Sequence, residues 1–242
     1  MTTPTPTPTP ASSGHDLGPG LSIVGSGLEL HTRQGRVLSD IRVNVPEGQI
    51  LGICGPEGSG RTSLALILCG RMKFRSGKLE GGGMPMPQKM RWLRANSVLA
   101  PTGEIYGLEG ALRVREEVQR TLKLTGKRHT RLDAGQILQT AGLTGQERTL
   151  VRDLPVLSRR RFEIACAFAD QARLVVVDDL QQGIPYRFQA EIWRYLKDVA
   201  VESGATVVAT FMDPEPASDV CDQLLHSKNK PIGRCLAMTS RP

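Results

Sequence analysis

The chain has 242 residues, of which 39% are hydrophobic, and its formal net charge is +7. This length suits one substantial domain or two small ones. No window approaches about 18 uninterrupted apolar residues, so we expect no membrane-spanning helix. The five cysteines are scattered and form no C-x-x-C pair, which favours reduced thiols in the cytosol and disfavours a metal site built on cysteine.

Two stretches depart from the average composition. Residues 1–20, MTTPTPTPTPASSGHDLGPG, have almost nothing to bury, so we expect a disordered tail, and they lack the pattern of a secretory signal. Residues 88–162 hold fifteen Lys or Arg and seven Asp or Glu, a net charge of +8. Such a basic surface suits contact with anionic lipid, nucleic acid or an acidic partner, and an ordinary solvated helical surface is the alternative.

A glycine-rich loop follows the first predicted strands. The strands are LSIVGSGLELHT (21–32), RVLSDIRVNV (36–45) and QILGIC (49–54). The loop GPEGSGRTS (55–63) matches the phosphate-binding pattern G-x-x-x-x-G-K-[ST] except that Arg61 replaces the lysine. RTSLALILCGRM then has the apolar spacing of a helix. Strand, glycine loop and helix is the context that a phosphate-binding loop requires.

The rest of the chain alternates helices with strands. Residues 89–171 are predicted to be mostly helical, ARLVVVDDL (172–180) and ATVVATF (205–211) to contain buried strands, and residues 184–204 to form an amphipathic helix. The final segment, CDQLLHSKNKPIGRCLAM (221–238), is predicted to form a short edge hairpin. Alternation of this kind indicates a mainly parallel sheet with helices packed on it.

The strand LVVV ends in two carboxylates, Asp178 and Asp179. Ligand sites of open parallel sheets lie at the carboxyl ends of their strands. We therefore expect Asp178 to hold a magnesium ion opposite the hydroxyl of Thr62, because Mg²⁺ prefers oxygen ligands. A turn or helix cap after the strand is the alternative role for these carboxylates.

The order and spacing of these segments resemble the nucleotide-binding domain of ATP-binding cassette (ABC) proteins over about residues 21–235. The stretches that carry the resemblance are RVLSDIRVNVPEGQILGICGPEGSGRTSLALILCG, SGKLEGG, RVREEV, ARLVVVDDL and SDVCDQLL. The resemblance implies an α/β fold, namely a P-loop NTPase core of the ABC type with a mainly parallel sheet, N-terminal antiparallel strands and an inserted helical subdomain. We expect the ABC-type ATP-binding domain at 21–242, with its helical subdomain at about 88–162.

The resemblance also implies roles for individual residues. The nucleotide-binding loop consists of Gly55, Pro56, Glu57, Gly58, Ser59, Gly60, Arg61, Thr62 and Ser63. The amides of residues 58–60 should cradle the phosphates, aided by the positive end of the following helix. Thr62 and Asp178 should ligate magnesium, and Ser63 should contact an inner phosphate. Arg61 stands where the family has a lysine that bridges the outer phosphates; it keeps the charge but is a planar fork.

Five further positions depart from the family pattern. Thr102 stands where the family has a glutamine between magnesium and the attacking water. Asp179 stands in place of the catalytic glutamate and is one methylene shorter, and a misplacement of about 1 Å can cost about a hundredfold in rate. Phe211 replaces the histidine that contacts the γ-phosphate and offers no hydrogen bond. Pro185 replaces an aspartate that faces the opposing subunit, and His31 lies near the position of an aromatic residue that stacks on adenine.

The signature sequence LSGGQ is also altered. The letters L-S occur at 157–158, but the family spacing to Asp178 instead selects LPVLS at 154–158. In that register Pro155 and Val156 replace a serine and a glycine, which removes a hydroxyl donor and adds bulk where backbone approaches phosphate. Three arginines follow at 159–161, and the alternative interpretation of this segment is a basic helix start on the surface.

These departures lead to the hypothesis that the chain binds ATP but hydrolyses it little. A positioned base contributes roughly 10²–10⁴ in rate, so changes at several catalytic positions should leave ATP hydrolysis weak or absent, whereas the loop glycines and Thr62, Ser63 and Asp178 needed to bind Mg-ATP remain. The expected protein is a cytoplasmic ATP-binding subunit at the inner face of the cell membrane. Its expected partners are a membrane-spanning transporter subunit and a second nucleotide-binding subunit, identical or different.

Two alternatives stay open from sequence. The first is a fully active transport ATPase that tolerates variant motifs. The second is a scaffold or regulator that binds no nucleotide. Nucleic-acid binding is disfavoured, because residues between the loop and Asp178 show no long coiled coil and few aromatic residues are available for base stacking.

Overall fold

The computed structural model describes residues 20–33, 35–102, 107–124, 133–227, 232–233 and 239–240. The predicted disordered tail therefore lies outside the described residues, except for Gly20. Gly20 is buried, and its carbonyl accepts a hydrogen bond from the guanidinium of Arg173. The packed domain thus includes at least one residue before the expected start at residue 21.

The described residues form strands and helices in the predicted order. The strands are β1 (Ile23–Thr32), β2 (Gly35–Val45), β3 (Ile50–Cys54), β4 (Ser76–Gly81), β5 (Met84–Met86), β6 (Ser97–Leu99), β7 (Leu174–Val177), β8 (Thr206–Phe211), β9 (Gln223–His226), β10 (Ile232–Gly233) and β11 (Thr239–Ser240). The α-helices are α1 (Arg61–Leu68), α2 (Met90–Ala95), α3 (Val114–Leu124), α4 (Ala134–Ala141), α5 (Val156–Phe168) and α6 (Tyr186–Ser203). Short 3₁₀ turns lie at Val151–Asp153 and Glu215–Ala217. Within the described ranges, no helix combines the length and the apolar character needed to cross a membrane.

The larger sheet has the strand order β11-β9-β3-β8-β7-β6. All its pairings are parallel except that of β11 with β9. β3, β7 and β8 are buried along their whole length, as expected for parallel strands covered on both faces. Because β3 and β7 point the same way, the loop after β3 and the carboxylates after β7 emerge at the same edge of the sheet.

The smaller sheet has the order β10-β2-β1-β4-β5, with β1, β2, β4 and β5 paired antiparallel. Its inner face packs on α1 and on one face of the larger sheet, in a cluster that includes Leu38, Leu64 and Val176. The other face of the larger sheet packs on α5 and α6 through residues such as Ile164, Trp193 and Val207. The expected α/β fold class, with a parallel sheet and N-terminal antiparallel strands, is confirmed.

A separate helical lobe is built from α3, α4 and the outer side of α5. Its apolar core runs in sequence from Leu108 to Ala169 and includes Val114, Ile137 and Phe162. The expected start of this lobe at residue 88 differs from the structure, because β6 pairs with β7 and so belongs to the larger sheet. The expected end at residue 162 differs too, since the buried face of α5 continues to Ala169.

The predicted C-terminal edge hairpin is wrong. β9 lies inside the larger sheet between β3 and β11 and is parallel to β3, whereas β10 joins the smaller sheet beside β2. The local sequence QLLH does not reveal this, because two apolar residues between two polar ones show no alternation that would distinguish an edge strand from an interior strand.

The central strand β3 is packed closely at Gly52. A Cβ added there would lie 2.7 Å from Cys221 Sγ and 2.9 Å from Phe211 Cε1. We expect Gly52→Ala to lower the free energy of unfolding by about 1–3 kcal/mol, because overpacking forces neighbours to shift. Urea unfolding followed by circular dichroism measures this.

The matched control is Gly135→Ala in α4, where the added Cβ meets only the end of the Asp133 side chain at 3.2 Å. Its effect should be smaller than about 1 kcal/mol, because alanine also favours the helix over glycine. Equal unfolding midpoints for wild type and Gly52→Ala would contradict the packing described here.

Candidate functional site

The glycine loop lies between the end of β3 and the start of α1. Gly60 precedes α1 with φ +86°, and a Cβ there would lie 2.9 Å from Val37 Cγ1. A Cβ on Gly55 would lie 2.7 Å from Ser227 Cβ. Both positions therefore require glycine, because each combines a positive φ, +155° at Gly55 and +86° at Gly60, with no room for a side chain. Pro56 and Gly55 are half-buried, and Glu57 and Gly58 form the exposed tip of the loop.

The loop has the properties of an anion-binding site. The amides in the first turn of α1, which include those of Thr62 and Ser63, have no acceptor within the helix. No side chain caps this end and no acidic residue lies in the first turn, so these amides are suited to an anion. Ser59 Oγ and Arg61 Nη1 are buried and have no hydrogen-bond partner among the described residues. An added Cβ on Gly58 would meet no atom within 4 Å, so this side of the loop is open. The donors present therefore fit phosphate oxygens.

Asp178 and Thr62 come together as the sequence predicted. β7 buries its four apolar residues and so delivers Asp178 to the loop, where Asp178 Oδ1 accepts a hydrogen bond from Thr62 Oγ1 at 3.1 Å. Two neighbouring ligands of an octahedral Mg²⁺, each about 2.1 Å from the ion, are separated by about 3.0 Å. The hydroxyl and carboxylate oxygens therefore fit magnesium in both chemistry and spacing.

Asp179 is paired with Arg61. Arg61 Nη2 lies 3.2 Å from Asp179 Oδ1, and the Arg61 side chain is only 7% exposed. Burial raises the pKa of the Asp179 carboxyl, and this effect outweighs the lowering by the Arg61 guanidinium. Asp179, which the sequence analysis expected at the position of a catalytic glutamate, therefore forms an ion pair with the arginine of the loop.

Two threonines support the aspartates through hydroxyl contacts. Thr102 Oγ1 donates to the main-chain carbonyl of Asp178 at 3.0 Å. Thr210 Oγ1 donates to Asp178 Oδ1 at 2.6 Å and accepts from the amide of Asp179 at 2.8 Å. Sequence analysis missed Thr210, for which the signal was that it is one of two threonines in the otherwise apolar segment ATVVATF.

Phe211 and His31 also have structural partners. Phe211 is 1% exposed and packs edge-to-face on Trp193, with ring centroids 4.8 Å apart. Its side chain therefore belongs to the core and does not face the glycine loop. His31 Nδ1 lies 3.0 Å from Arg75 Nη1, and His31 Nε2 lies 4.0 Å from Glu29 Oε2.

The altered signature segment lies at the start of α5. Pro155 precedes the helix, which begins at Val156, and Val156 is exposed. The basic start of this helix is not a simple solvated surface, because Arg160 is 7% exposed and forms an ion pair with the buried Glu163 at 3.1 Å. Arg160 Nη2 also donates to the carbonyl of Gln182 at 2.9 Å, which connects α5 to the segment after β7.

The glycine loop follows the central parallel strand β3, and the carboxylate ends β7, which is separated from β3 by β8. This arrangement defines the P-loop NTPase fold. The family model described as ABC transporter matches residues 38–182, which is more than half of the chain. The chain therefore belongs to the ABC transporter family. The match covers the loop and both aspartates.

Individual curated relatives have low sequence identity to this chain. The Nod factor export ATP-binding protein I of Rhizobium etli is 26% identical over 190 residues, which cover 78% of this chain and 59% of that protein. The zinc import ATP-binding protein ZnuC 2 of Hahella chejuensis is 29% identical over 173 residues, which cover 71% of this chain and 64% of that protein. The matched regions of three export-type or uncharacterised relatives span between 46% and 59% of those proteins' lengths.

Solved structures share the fold. The cbiO1 protein from Clostridium perfringens, described as part of the ABC transporter complex cbiONQ, superposes with a TM-score of 0.75 at 19% identity and covers 89% of this chain and 87% of that chain. A bacterial ABC transporter cassette described as dimeric gives a TM-score of 0.72 at 18% identity and covers 91% and 99%. The ABC-type core expected from the sequence is confirmed.

Thr210→Val tests whether Thr210 supports the site. The change keeps the shape but removes the donor to Asp178 and the acceptor for the amide of Asp179. We expect a loss of about 1–3 kcal/mol in the free energy of unfolding and weaker binding of Mg-ATP, measured by urea unfolding and calorimetric titration.

Thr206→Val is the control, since Thr206 is equally buried and accepts from the amides of Leu21 and Gly48, away from the loop. It should cost similar stability and leave the affinity for Mg-ATP unchanged. The same affinity loss in both variants would mean that Thr210 has no specific role at the site.

Proposed function

We propose that this chain is an ATP-binding subunit of an ABC transporter complex and that it binds Mg-ATP through the loop at residues 55–63. The observation that carries the proposal is the combination of unpartnered loop donors on Ser59 and Arg61 with the hydroxyl–carboxylate pair of Thr62 and Asp178. The donors suit a polyphosphate, and the oxygen pair suits the cation that accompanies it.

Each loop residue has a physical role in this proposal. The amides at 58–60 and the first turn of α1 bind phosphate oxygens, Ser63 contacts an inner phosphate, and Arg61 supplies positive charge to the outer ones. Thr62 and Asp178 hold the magnesium, which, when bound, offsets part of the charge of the triphosphate. Pro56 and Glu57 shape the outer rim of the loop.

Hydrolysis by this chain is proposed to be slow. The side chain of Thr102 is bonded to a backbone carbonyl, Asp179 is paired with Arg61, and Phe211 packs in the core. These contacts support the proposal, because a side chain engaged within the protein is less available to orient water, accept its proton or contact a terminal phosphate. Loss of a positioned base alone lowers rates by roughly 10²–10⁴, although such losses are not additive.

The proposed partners follow from the family. The relatives are named as ATP-binding proteins of export or import, and we propose a membrane-spanning subunit and a second nucleotide-binding subunit for this chain. The second subunit would supply the catalytic groups that this chain has replaced. The proposed location is the cytoplasmic face of the cell membrane, where the basic lobe suits anionic lipid headgroups.

Thr62→Val tests the magnesium role. We expect wild-type protein to bind ATP at or below millimolar concentration and to bind it more tightly with Mg²⁺. Thr62→Val should lose most of the gain from Mg²⁺, because it removes a hydroxyl ligand and keeps the shape, whereas Thr62→Ser should retain the gain. Calorimetric titration with and without Mg²⁺ measures this, and absence of saturable ATP binding by wild type would overturn the proposed function.

Turnover of the purified chain tests the hydrolysis proposal. We expect a steady-state rate at least about a hundredfold below that of an intact ABC ATPase assayed in parallel, because the base position is engaged. The complex co-purified from the native host should hydrolyse ATP faster than the chain alone. A rate for the isolated chain near that of the intact enzyme would favour a fully active transport ATPase instead.

A further inference from the structure

The ion pair between Arg61 and Asp179 joins the two halves of the site. It connects the first residue of α1 to the turn after β7, with 3.2 Å between Nη2 and Oδ1. The Arg61 side chain is 7% exposed and that of Asp179 is 36% exposed. Breaking a pair that is this far removed from water on one side costs more than breaking an exposed surface pair, because it leaves a buried charge unpaired.

Arg61 has two competing uses in this arrangement. Its Nη2 is engaged by Asp179, while its buried Nη1 has no hydrogen-bond partner among the described residues. A triphosphate bound on the loop would bring oxygen anions to the same guanidinium, and a guanidinium binds phosphate as readily as carboxylate. The carboxylate of Asp179 and the phosphates are therefore rivals for one cation.

The backbone conformation of Asp179 positions its side chain for the contact with Arg61. Asp179 has φ +46°, a left-handed conformation that is costly for residues other than glycine, and its amide is held by Thr210 Oγ1 at 2.8 Å. The other charged groups that act on its carboxylate are Arg160, Asp178 and Glu57. Asparagine also tolerates this conformation, so Asp179→Asn removes the charge and leaves the backbone in place.

We infer that Arg61 and Asp179 form a latch that competes with nucleotide, in which Asp179 is a positioning residue that withholds Nη2 of Arg61 from the phosphates until Mg-ATP displaces the carboxylate. This inference rests on the proposed function, because the displacing ligand is the same nucleotide. The latch lowers the apparent affinity, since only the fraction of molecules with a released Arg61 is ready to bind.

A double-mutant cycle on Mg-ATP affinity tests the latch. Calorimetric titration would compare wild type, Asp179→Asn, Arg61→Gln and the double variant. We expect Asp179→Asn to tighten binding about five- to tenfold when Arg61 is present, and by less than about twofold in the Arg61→Gln background. Simple repulsion between Asp179 and the phosphates would instead give the same gain in both backgrounds, which would overturn the latch.

Asp40→Asn is a closely matched control. Asp40 also has a left-handed backbone, with φ +49°, and also pairs with an arginine, Arg42, at 3.6 Å, but both of these side chains are more than half exposed. The change removes the same charge and should leave the affinity for Mg-ATP within about twofold of wild type, because exposed pairs contribute little. An equal gain from Asp40→Asn and Asp179→Asn would point to net charge and overturn the latch.

A second measurement covers variants that bind too weakly to titrate. In nucleotide-free protein, the losses in urea midpoint for Arg61→Gln and Asp179→Asn should be less than additive in the double variant, because the first change already breaks the pair. Additive losses would overturn the latch. If wild type and all variants fail to bind ATP, the proposed function fails and the inference with it; if all bind ATP and Asp179→Asn binds no tighter than wild type, only the inference fails.

Discussion

The hydrogen bonds to the carboxylate of Asp178 hold the site together. One oxygen, Oδ1, receives hydroxyl donors from Thr62 on α1 and from Thr210 on β8. The carbonyl of the same residue receives the hydroxyl of Thr102. Three segments that are distant in the chain therefore meet at the end of β7. Because two hydroxyl donors fix the position of this carboxylate oxygen, the oxygen pair suited to magnesium is already assembled in the folded chain.

The residues suited to nucleotide binding and those at the expected catalytic positions differ in whether their side chains have partners within the protein. The loop keeps unpartnered donors on Ser59 and Arg61. By contrast, the side chains at the expected catalytic positions have contacts within the protein: Asp179 with Arg61 and Phe211 with Trp193. Each of these contacts engages, inside the protein, a side chain at an expected catalytic position. Asp179 and Phe211, two of the residues expected to depart from the family pattern, therefore take part in contacts within this domain.

A buried ion pair between Arg160 and Glu163 lies where the helical lobe meets the core. Burial lowers the pKa of Arg160 and raises the pKa of Glu163, and each of these two charges offsets part of the effect on the other. Burying two charges is costly unless they are paired and hydrogen-bonded. Arg160 meets this condition partly through the carbonyl of Gln182. The start of α5, the altered signature segment, is thus linked directly to the turn that contains Asp179.

Local sequence was enough to predict β3, the glycine loop, α1 and β7, because apolar periodicity and glycine spacing are properties of neighbouring residues. It also placed Thr62 beside Asp178, since parallel strands end at one edge of a sheet. Local sequence could not show that Arg61 pairs with Asp179, that Phe211 turns into the core, or that β9 lies inside the sheet. These features depend on contacts between residues far apart in the chain, and only the folded packing brings those residues within reach of each other.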